Sequence, residues 1–269
     1  MPGIKWIVVH LLDGKVVSVT GASGIAAAAA RRFAAEGARI LVLSKDEAEC
    51  ATLASDLDGL GAEHHAIAVD LTDGPATEAA FASGRSLLGR PDGLFAVASG
   101  SGRRFGDGPL HEATTEGWKA TMDINGLPTF HAARAAVRLM LDERAPGSIV
   151  LIGSVLAQAP SPRLFATHAY AAAKGGTVSL VKAAASYYAP NGIRFNCIAP
   201  GLVDTPMAAR AAADPDVMDF ARRKQPLAGG MLDPSEIAAA ATFLLSDESR
   251  MITGQILAVD GGWSVAEAE

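Results

Sequence analysis

A short apolar strand runs directly into a glycine turn in the stretch Val16-Val17-Ser18-Val19-Thr20-Gly21-Ala22-Ser23-Gly24-Ile25. Five consecutive alanines, residues 26–30, follow the turn and strongly favour a helix. A strand that enters a helix through such a turn can bind a phosphate group, because backbone N–H groups and the positive end of the helix dipole face the ligand. Gly21 and Gly24 would leave room for that approach.

The same alternation of strand and helix continues to the end of the chain. The predicted strands are 16–20, 39–43, 65–69, 93–98, 148–153, 193–198 and 256–259, and the predicted helices are 24–36, 46–57, 76–88, 115–141, 167–189 and 234–246. This order predicts an α/β fold built on a doubly wound parallel sheet (a Rossmann fold), with about seven strands and helices on both faces. Ligands of such a sheet bind at the carboxyl ends of its strands.

Composition restricts the class of protein. The length of 269 residues suits a single domain, 1–269, and the net charge of −6 argues against nucleic acid as a partner. No apolar run approaches the ~20 residues that a bilayer requires. Residues 1–14 are interpreted as an N-terminal tail or an extra edge segment, because His10 interrupts the apolar run and no cleavage site follows. Cys50 and Cys197 fall in a predicted helix and a predicted buried strand, which favours reduced thiols and a cytoplasmic location.

Tyr170 and Lys174 are four residues apart on a predicted helix, so their side chains share one face. An ammonium ~4 Å from a phenol contributes about 4 kcal/mol at an effective dielectric of ~20. That energy would lower the pKa of Tyr170 by about three pKa units, into the range of a general acid and base. Taken alone, the pair also fits an ordinary tyrosine and lysine on a helix surface.

Other residues and motifs along the chain support a functional interpretation of Tyr170 and Lys174. Ser154 closes the predicted apolar strand that begins at Ser148, and Asn125 lies in the helical run that starts near Thr114. Two further motifs are the segment Pro200-Gly201-Leu202-Val203-Asp204-Thr205-Pro206-Met207 and the segment Val259-Asp260-Gly261-Gly262. Together with the glycine turn, these motifs resemble the short-chain dehydrogenase/reductase family, in its single-domain branch, from Lys15 to Ser264.

The resemblance implies an NAD(P)(H)-dependent oxidoreductase that transfers a hydride between a nicotinamide and a small secondary alcohol or ketone, including the 3-oxoacyl type. It implies that Tyr170 handles the proton of the substrate oxygen and that Ser154 donates to that oxygen. Lys174 would lower the pKa of Tyr170 and bind the nicotinamide ribose, and Asn125 would bind a water that links Lys174 to solvent. Residues 202–228 would form the substrate lid. No metal is implied, and His64 and His65 lack partners at metal spacing.

The residues that would bind the cofactor by this resemblance follow the predicted strands. They are Gly21, Ser23, Gly24, Ile25, Ser44, Lys45, Asp70, Leu71, Ala98, Ser99, Tyr170, Lys174, Pro200, Gly201, Val203 and Thr205. The chain departs from the family pattern in two places. Its glycine turn is one residue shorter and carries Ala26 at the third glycine position, and residues 96–100 replace the usual Asn-Asn-Ala-Gly.

The end of the second predicted strand indicates NADP(H) over NAD(H). An NAD-preferring site places a carboxylate there, on the ribose 2′-hydroxyl. Here Ser44 and Lys45 occupy that end, and a hydroxyl and an ammonium suit a 2′-phosphate. Asp46 lies two residues further and would act in the opposite sense if the strand end shifted by one residue.

Several alternatives remain open from sequence. The altered turn and the missing asparagine pair also fit a catalytically idle dinucleotide sensor or scaffold protein on the same fold. Arg103 and Arg104 could meet an anionic substrate or lie in a solvated loop. The family packs its fourth and fifth helices between subunits, so the apolar residues there predict a homo-oligomer, most simply a tetramer. Those residues are Phe130, Leu139, Val178, Leu180 and Val181.

Overall fold

A computed structural model describes residues 10–267. It contains a seven-stranded parallel sheet in the order β3-β2-β1-β4-β5-β6-β7. The strands are β1 (Val16–Thr20), β2 (Arg39–Ser44), β3 (His64–Ala68), β4 (Gly93–Ala96), β5 (Gly147–Ile152), β6 (Ile193–Pro200) and β7 (Ile256–Val259). The predicted doubly wound parallel sheet is therefore confirmed.

Helices cover both faces of this sheet. They are α1 (Gly24–Ala35), α2 (Glu47–Gly59), α3 (Gly74–Leu88), α4 (Thr115–Asp142), α5 (His168–Tyr188), α6 (Ala209–Ala212), α7 (Pro215–Lys224) and α8 (Pro234–Leu245). Helices α1, α2 and α8 share one buried apolar cluster with the sheet, and α3, α4 and α5 share the other. The two clusters are the two layers that a parallel sheet needs when both of its faces are buried.

Alanines let α1 approach the sheet closely. Ala26, Ala27, Ala29 and Ala30 are buried on one side of the helix, where larger side chains would hold it away from β1. Phe33 fills the remaining space and packs edge to face on Phe95 of β4, with ring centres 5.8 Å apart. The start of α1 is thereby fixed directly behind the glycine turn.

The chain leaves the sheet at the end of β4, beside the end of β1. Strand β4 ends at Ala96, two residues before the predicted end at residue 98. The N–H groups of Val97 and Ala98 instead donate to the Thr20 hydroxyl, at 2.9 and 3.0 Å. The Thr20 hydroxyl thus replaces the carbonyl groups of a neighbouring strand as the hydrogen-bond acceptor. Beyond Ala96 the chain turns away from the sheet and forms one wall of a crevice.

Residues 10–14 of the predicted tail pack against the end of α1. The side chain of Leu12 is fully buried. The backbone N–H of Leu12 donates to the Glu36 carbonyl, and the backbone N–H of Leu11 donates to the Glu36 carboxylate. These contacts hold the pKa of Glu36 below its usual value, chiefly through the Leu11 N–H. The rest of the predicted tail, residues 1–9, lies outside the described residues.

Two further observations concern the whole described chain. Across residues 10–267, none of the helices combines the length and the apolar character needed to cross a bilayer. Cys50 and Cys197 are both buried and both free thiols.

Candidate active site

A crevice of about 610 Å³ lies at the carboxyl ends of the strands. It is centred where the strand order reverses between β1 and β4, which is where an open α/β sheet binds ligands. Fifteen of the sixteen predicted cofactor-binding residues line it, namely Gly21, Ser23, Gly24, Ile25, Ser44, Lys45, Asp70, Leu71, Ala98, Ser99, Tyr170, Pro200, Gly201, Val203 and Thr205. Lys174 is the exception, because its side chain is buried beneath the crevice wall.

The shortened glycine turn still exposes backbone to the crevice. Gly21 has φ +95° and Gly24 has φ +52°, backbone angles that residues with a side chain rarely adopt. A Cβ on Gly24 would come within 2.9 Å of the Thr205 side chain, so only glycine fits between the turn and the segment after β6. The first N–H groups of α1 have no acceptor within the helix, and the first turn of α1 carries no acidic side chain. These features fit the pyrophosphate of a dinucleotide.

The segment that replaces Asn-Asn-Ala-Gly is held by other groups. The Thr20 hydroxyl binds its first two N–H groups, as described above, and the Ser99 hydroxyl donates to the Val97 carbonyl at 3.0 Å. The side-chain amide of Asn125 forms two hydrogen bonds with the backbone of Gly100. Its nitrogen donates to the Gly100 carbonyl at 3.0 Å, and its oxygen accepts from the Gly100 N–H at 3.4 Å. The crevice wall therefore keeps its shape without the asparagine pair.

Asn125 occupies a structural position in this arrangement. It is fully buried in α4, and its amide nitrogen also donates to the Thr121 carbonyl at 2.8 Å. Its described hydrogen bonds thus go to the backbone of Thr121 and Gly100. The role predicted from sequence, binding a water that serves Lys174, stays a prediction.

Ser154 and Tyr170 face the crevice together. Ser154 lies just after β5, where its hydroxyl accepts from the Leu156 N–H at 3.2 Å and so begins a short 3-10 turn. Tyr170 lies in the first turn of α5, partly exposed to the crevice. Desolvation by the surrounding atoms raises the pKa of Tyr170 to about 12, and the neighbouring Ser154 hydroxyl opposes this rise in part. The phenol is therefore protonated at neutral pH.

The predicted lowering of the Tyr170 pKa by Lys174 is wrong for this structure. The Lys174 ammonium lies 5.7 Å from the centre of the Tyr170 ring and donates to the Ile152 carbonyl at 3.0 Å. It is itself desolvated, because only 1% of Lys174 is exposed, and this burial lowers its pKa to about 8. Sequence spacing placed the two residues on one helix face correctly, but it could not show that burial opposes the charged form of both groups.

Asp107 is a positioning residue that sequence reasoning missed. Its buried carboxylate accepts from the N–H groups of Ala169 and Tyr170, both at 2.9 Å. The carboxylate therefore caps the start of α5 and fixes the backbone that carries the tyrosine. The capping residue lies 63 positions before Tyr170, so no local helix-capping pattern could have revealed it.

An aromatic cluster closes the substrate end of the crevice. Trp263 is almost fully buried, and its indole N–H donates to the Ala159 carbonyl at 3.0 Å. Its ring packs edge to face against Phe165, from the long segment between Ser154 and Tyr170, and against Phe220 of α7, at 5.6 and 5.4 Å. Sequence analysis did not identify Trp263, which joins these two segments.

Comparison with known proteins agrees with this geometry. A family model described as enoyl-(acyl carrier protein) reductase matches residues 19–264. The chain is 35% identical to 3beta-hydroxysteroid dehydrogenase 1 of Eggerthella lenta, over 94% of this chain and 95% of that protein.

Two solved structures with bound dinucleotides superimpose on the chain. Carveol dehydrogenase from Mycobacterium avium in complex with NAD has a TM-score of 0.86 and 32% identity, covering 94% of this chain and 98% of that one. A putative 2-deoxy-d-gluconate 3-dehydrogenase from Agrobacterium tumefaciens with bound NADP has a TM-score of 0.83 and 28% identity, covering 96% and 99%. With its sheet order and with Ser154 and Tyr170 facing one crevice, the chain belongs to the short-chain dehydrogenase/reductase family.

Proposed function

We propose that the protein is a nicotinamide-dependent oxidoreductase that interconverts a secondary alcohol and its ketone. The observation that carries this conclusion is the convergence of Ser154 and Tyr170 on the dinucleotide crevice, with Lys174 directly beneath it. A bound NAD(P)(H) would supply or accept the hydride. The residues of the chain supply orientation, a proton and a site closed by the lid.

Each side chain has a distinct task in the proposed reaction. Tyr170 is protonated at neutral pH, so it can donate its proton to the oxygen of a ketone as that oxygen becomes an alkoxide. The Ser154 hydroxyl lies beside it and can hold the same oxygen in place. Asp107 fixes the start of α5, and with it the position of the phenol. Residues 202–228, including α6 and α7, would close over the substrate as the predicted lid.

The observations that suggested an idle sensor or scaffold have local explanations. The short turn still exposes backbone to the crevice, and Thr20 and Asn125 hold the segment that lacks the asparagine pair. A panel of ketones and secondary alcohols, followed by nicotinamide absorbance with both cofactors, tests the proposed activity directly. Absence of turnover across the panel, together with normal dinucleotide binding, would favour the sensor.

We expect NADPH to give a ten- to hundredfold higher kcat/KM than NADH. Lys45 lines the crevice. The hydrogen bonds from Thr72 lower the pKa of Asp70, and the charge of Lys45 lowers it further. The Asp46 carboxylate instead accepts from the Glu49 N–H at 2.9 Å and caps α2. A charge-assisted bond between Lys45 and a 2′-phosphate contributes about 1.5–3 kcal/mol.

The kinetic ratio of the two cofactors, measured for the wild type and for Lys45→Gln, checks this preference. The variant should lose most of the preference by raising the KM for NADPH and should leave the KM for NADH nearly unchanged. A wild-type ratio that favours NADH would assign control to Asp46 or Glu49, which also line the crevice.

We expect a homo-oligomer, a tetramer, built on α4 and α5. Val181 is fully buried in the protein's own core, so the predicted apolar stripe is smaller than the sequence indicated. Phe130 and Leu180 remain exposed, at 46% and 36%. Gly126 and Gly176 are exposed nearby on these helices, and a Cβ at either would meet nothing within 4 Å, so the fold of one chain does not require them. Small residues of this kind let a second helix approach closely.

Light scattering coupled to size exclusion at micromolar concentration measures the assembly. The wild type should have the mass of four chains, and Phe130→Glu should reduce it, since the charge would be buried between subunits. Leu87→Glu, which changes an exposed leucine of α3, is the matched control and should leave the mass unchanged. A monomeric wild type would contradict the proposal.

We also propose a cytoplasmic location, which the two buried, free thiols support. Thiol titration of protein isolated without reductant should find both cysteines reduced after unfolding. A disulfide would contradict this assignment.

A further inference from the structure

Most of the positive charge that lines the crevice lies apart from its carboxylates, and Lys45 after β2 is the exception. Every lining carboxylate, from Asp46, Glu49 and Asp70, follows β2 or β3. The end that contains Ser154 and Tyr170 is lined by three arginines instead, Arg103, Arg104 and Arg210. The chain as a whole carries a net charge of −6, so this concentration of positive charge is a local feature.

Arg103 is held at the crevice by its backbone and by its side chain. It lies in the 3-10 turn Gly102–Phe105, and its guanidinium donates to the Leu164 carbonyl at 3.0 Å. Leu164 belongs to the long segment between Ser154 and Tyr170, so the guanidinium lies over the substrate end. A guanidinium has five N–H donors, and this hydrogen bond uses one of them.

Arg210 lines the crevice from α6, in the segment that follows β6. Partial burial lowers the pKa of Arg103, and the positive charge of Arg210 lowers it further. Two cations that face one crevice repel each other unless an anion lies between them.

Within residues 10–267, none of the three arginines forms an ion pair. The acidic group whose charge reaches Arg103 is Asp107, and both of its oxygens accept N–H groups at the start of α5. Arg104 instead stacks over the Phe105 ring, 4.6 Å from its centre.

We propose that the substrate carries an anionic group, such as a carboxylate, sulfonate or phosphate, which binds between Arg103 and Arg210 while the reacting carbonyl lies at Tyr170. The wall between these points is formed largely by apolar side chains, which are those of Val155, Leu156, Phe165, Met207 and Trp263. The substrate therefore has an apolar body between its carbonyl and its anion. This inference rests on the proposed function and adds the class of substrate to it.

A series of matched ketones tests the inference. The probes are methyl-ketone carboxylates of increasing chain length, CH3CO(CH2)nCO2⁻, each compared with its own methyl ester under saturating cofactor. The wild type should prefer the acid of the best-fitting length over its ester by about tenfold or more in kcat/KM. Arg103→Gln and Arg210→Gln should each lower this acid-to-ester ratio by about ten- to hundredfold.

The matched control is Arg250→Gln, which removes the same charge from an exposed arginine. Arg250 lies near Asp247 and Lys15, at the amino-terminal edge of the sheet, away from the crevice. It should leave both the ratio and the rate unchanged. Dinucleotide affinity, measured by fluorescence titration, should stay within about twofold in all three variants.

Each other result has a definite meaning. Esters that react as well as their acids, or acids that do not react at all, would overturn the inference while ester turnover leaves the proposed function intact. A loss of dinucleotide affinity in the arginine variants would assign these residues to the cofactor phosphates and also overturn it. No turnover of any acid, ester or neutral ketone would count against the proposed function as well.

Discussion

Replacing Tyr170 with phenylalanine is expected to lower kcat by about 10²- to 10⁴-fold, the usual contribution of a general acid. The phenol is the group that faces the crevice beside Ser154, and at a pKa of about 12 it holds the proton that a developing alkoxide needs. The substitution removes one oxygen and leaves the ring, so the packing of α5 should be unchanged. Steady-state kinetics with the best substrate of the panel measures the effect.

Two controls separate this loss from a structural defect. Dinucleotide affinity of Tyr170→Phe should stay within a fewfold, because the proposed site of the pyrophosphate lies in the glycine turn. Tyr187→Phe, which changes an exposed tyrosine on the same helix, should retain full activity. If Tyr170→Phe keeps more than about a tenth of wild-type turnover, another group supplies the proton.

The second large effect is expected at Lys174, where activity and stability should change in opposite directions. Lys174→Met should abolish turnover and weaken dinucleotide binding, since the ammonium is assigned to both. The same change should stabilise the cofactor-free protein. A pKa of about 8 in place of 10.5 means that burying the charged amine costs about 3 kcal/mol at pH 7. Loss of the hydrogen bond to the Ile152 carbonyl costs the variant about 1 kcal/mol, so its free energy of unfolding should exceed that of the wild type by about 2 kcal/mol.

The pH dependence of this gain has a definite sign. Between pH 8 and 10.5 the unfolded chain binds more protons at this lysine than the folded protein does, so wild-type stability rises with pH. The advantage of Lys174→Met should be fully present below pH 8 and should shrink as the pH approaches 10. Urea unfolding at pH 7 and at pH 10 measures it. Lys182→Met, an exposed lysine on the same helix, should change stability by less than about 0.5 kcal/mol at either pH.

Local sequence patterns were sufficient for most of the fold. Strands β1 and β7 have the predicted bounds, because each is a short apolar run between clear turn signals. The prediction was wrong by two residues at the end of β4, where the Thr20 hydroxyl takes the N–H groups of the next two residues. The donors of these two hydrogen bonds lie 77 and 78 positions after Thr20, so a local sequence pattern cannot reveal them.

The candidate site also has features that could be predicted from the sequence and features that could not. The positions of Ser154 and Tyr170 followed from order and spacing along the chain, since both lie at ends of regular elements. The electrostatics did not follow, because the pKa of Lys174 depends on atoms contributed by β5 and β6. Asp107 and Arg210 were missed for a related reason: each acts on a group that is distant in sequence and is brought near only by the completed fold.

The position of Trp263 has a mechanical consequence. The indole contacts the segment between Ser154 and Tyr170 through Ala159 and Phe165, and it contacts α7 through Phe220. Both segments therefore pack against the same side chain. We expect a displacement of either segment to shift the surface on which the other packs, so that the two segments move together.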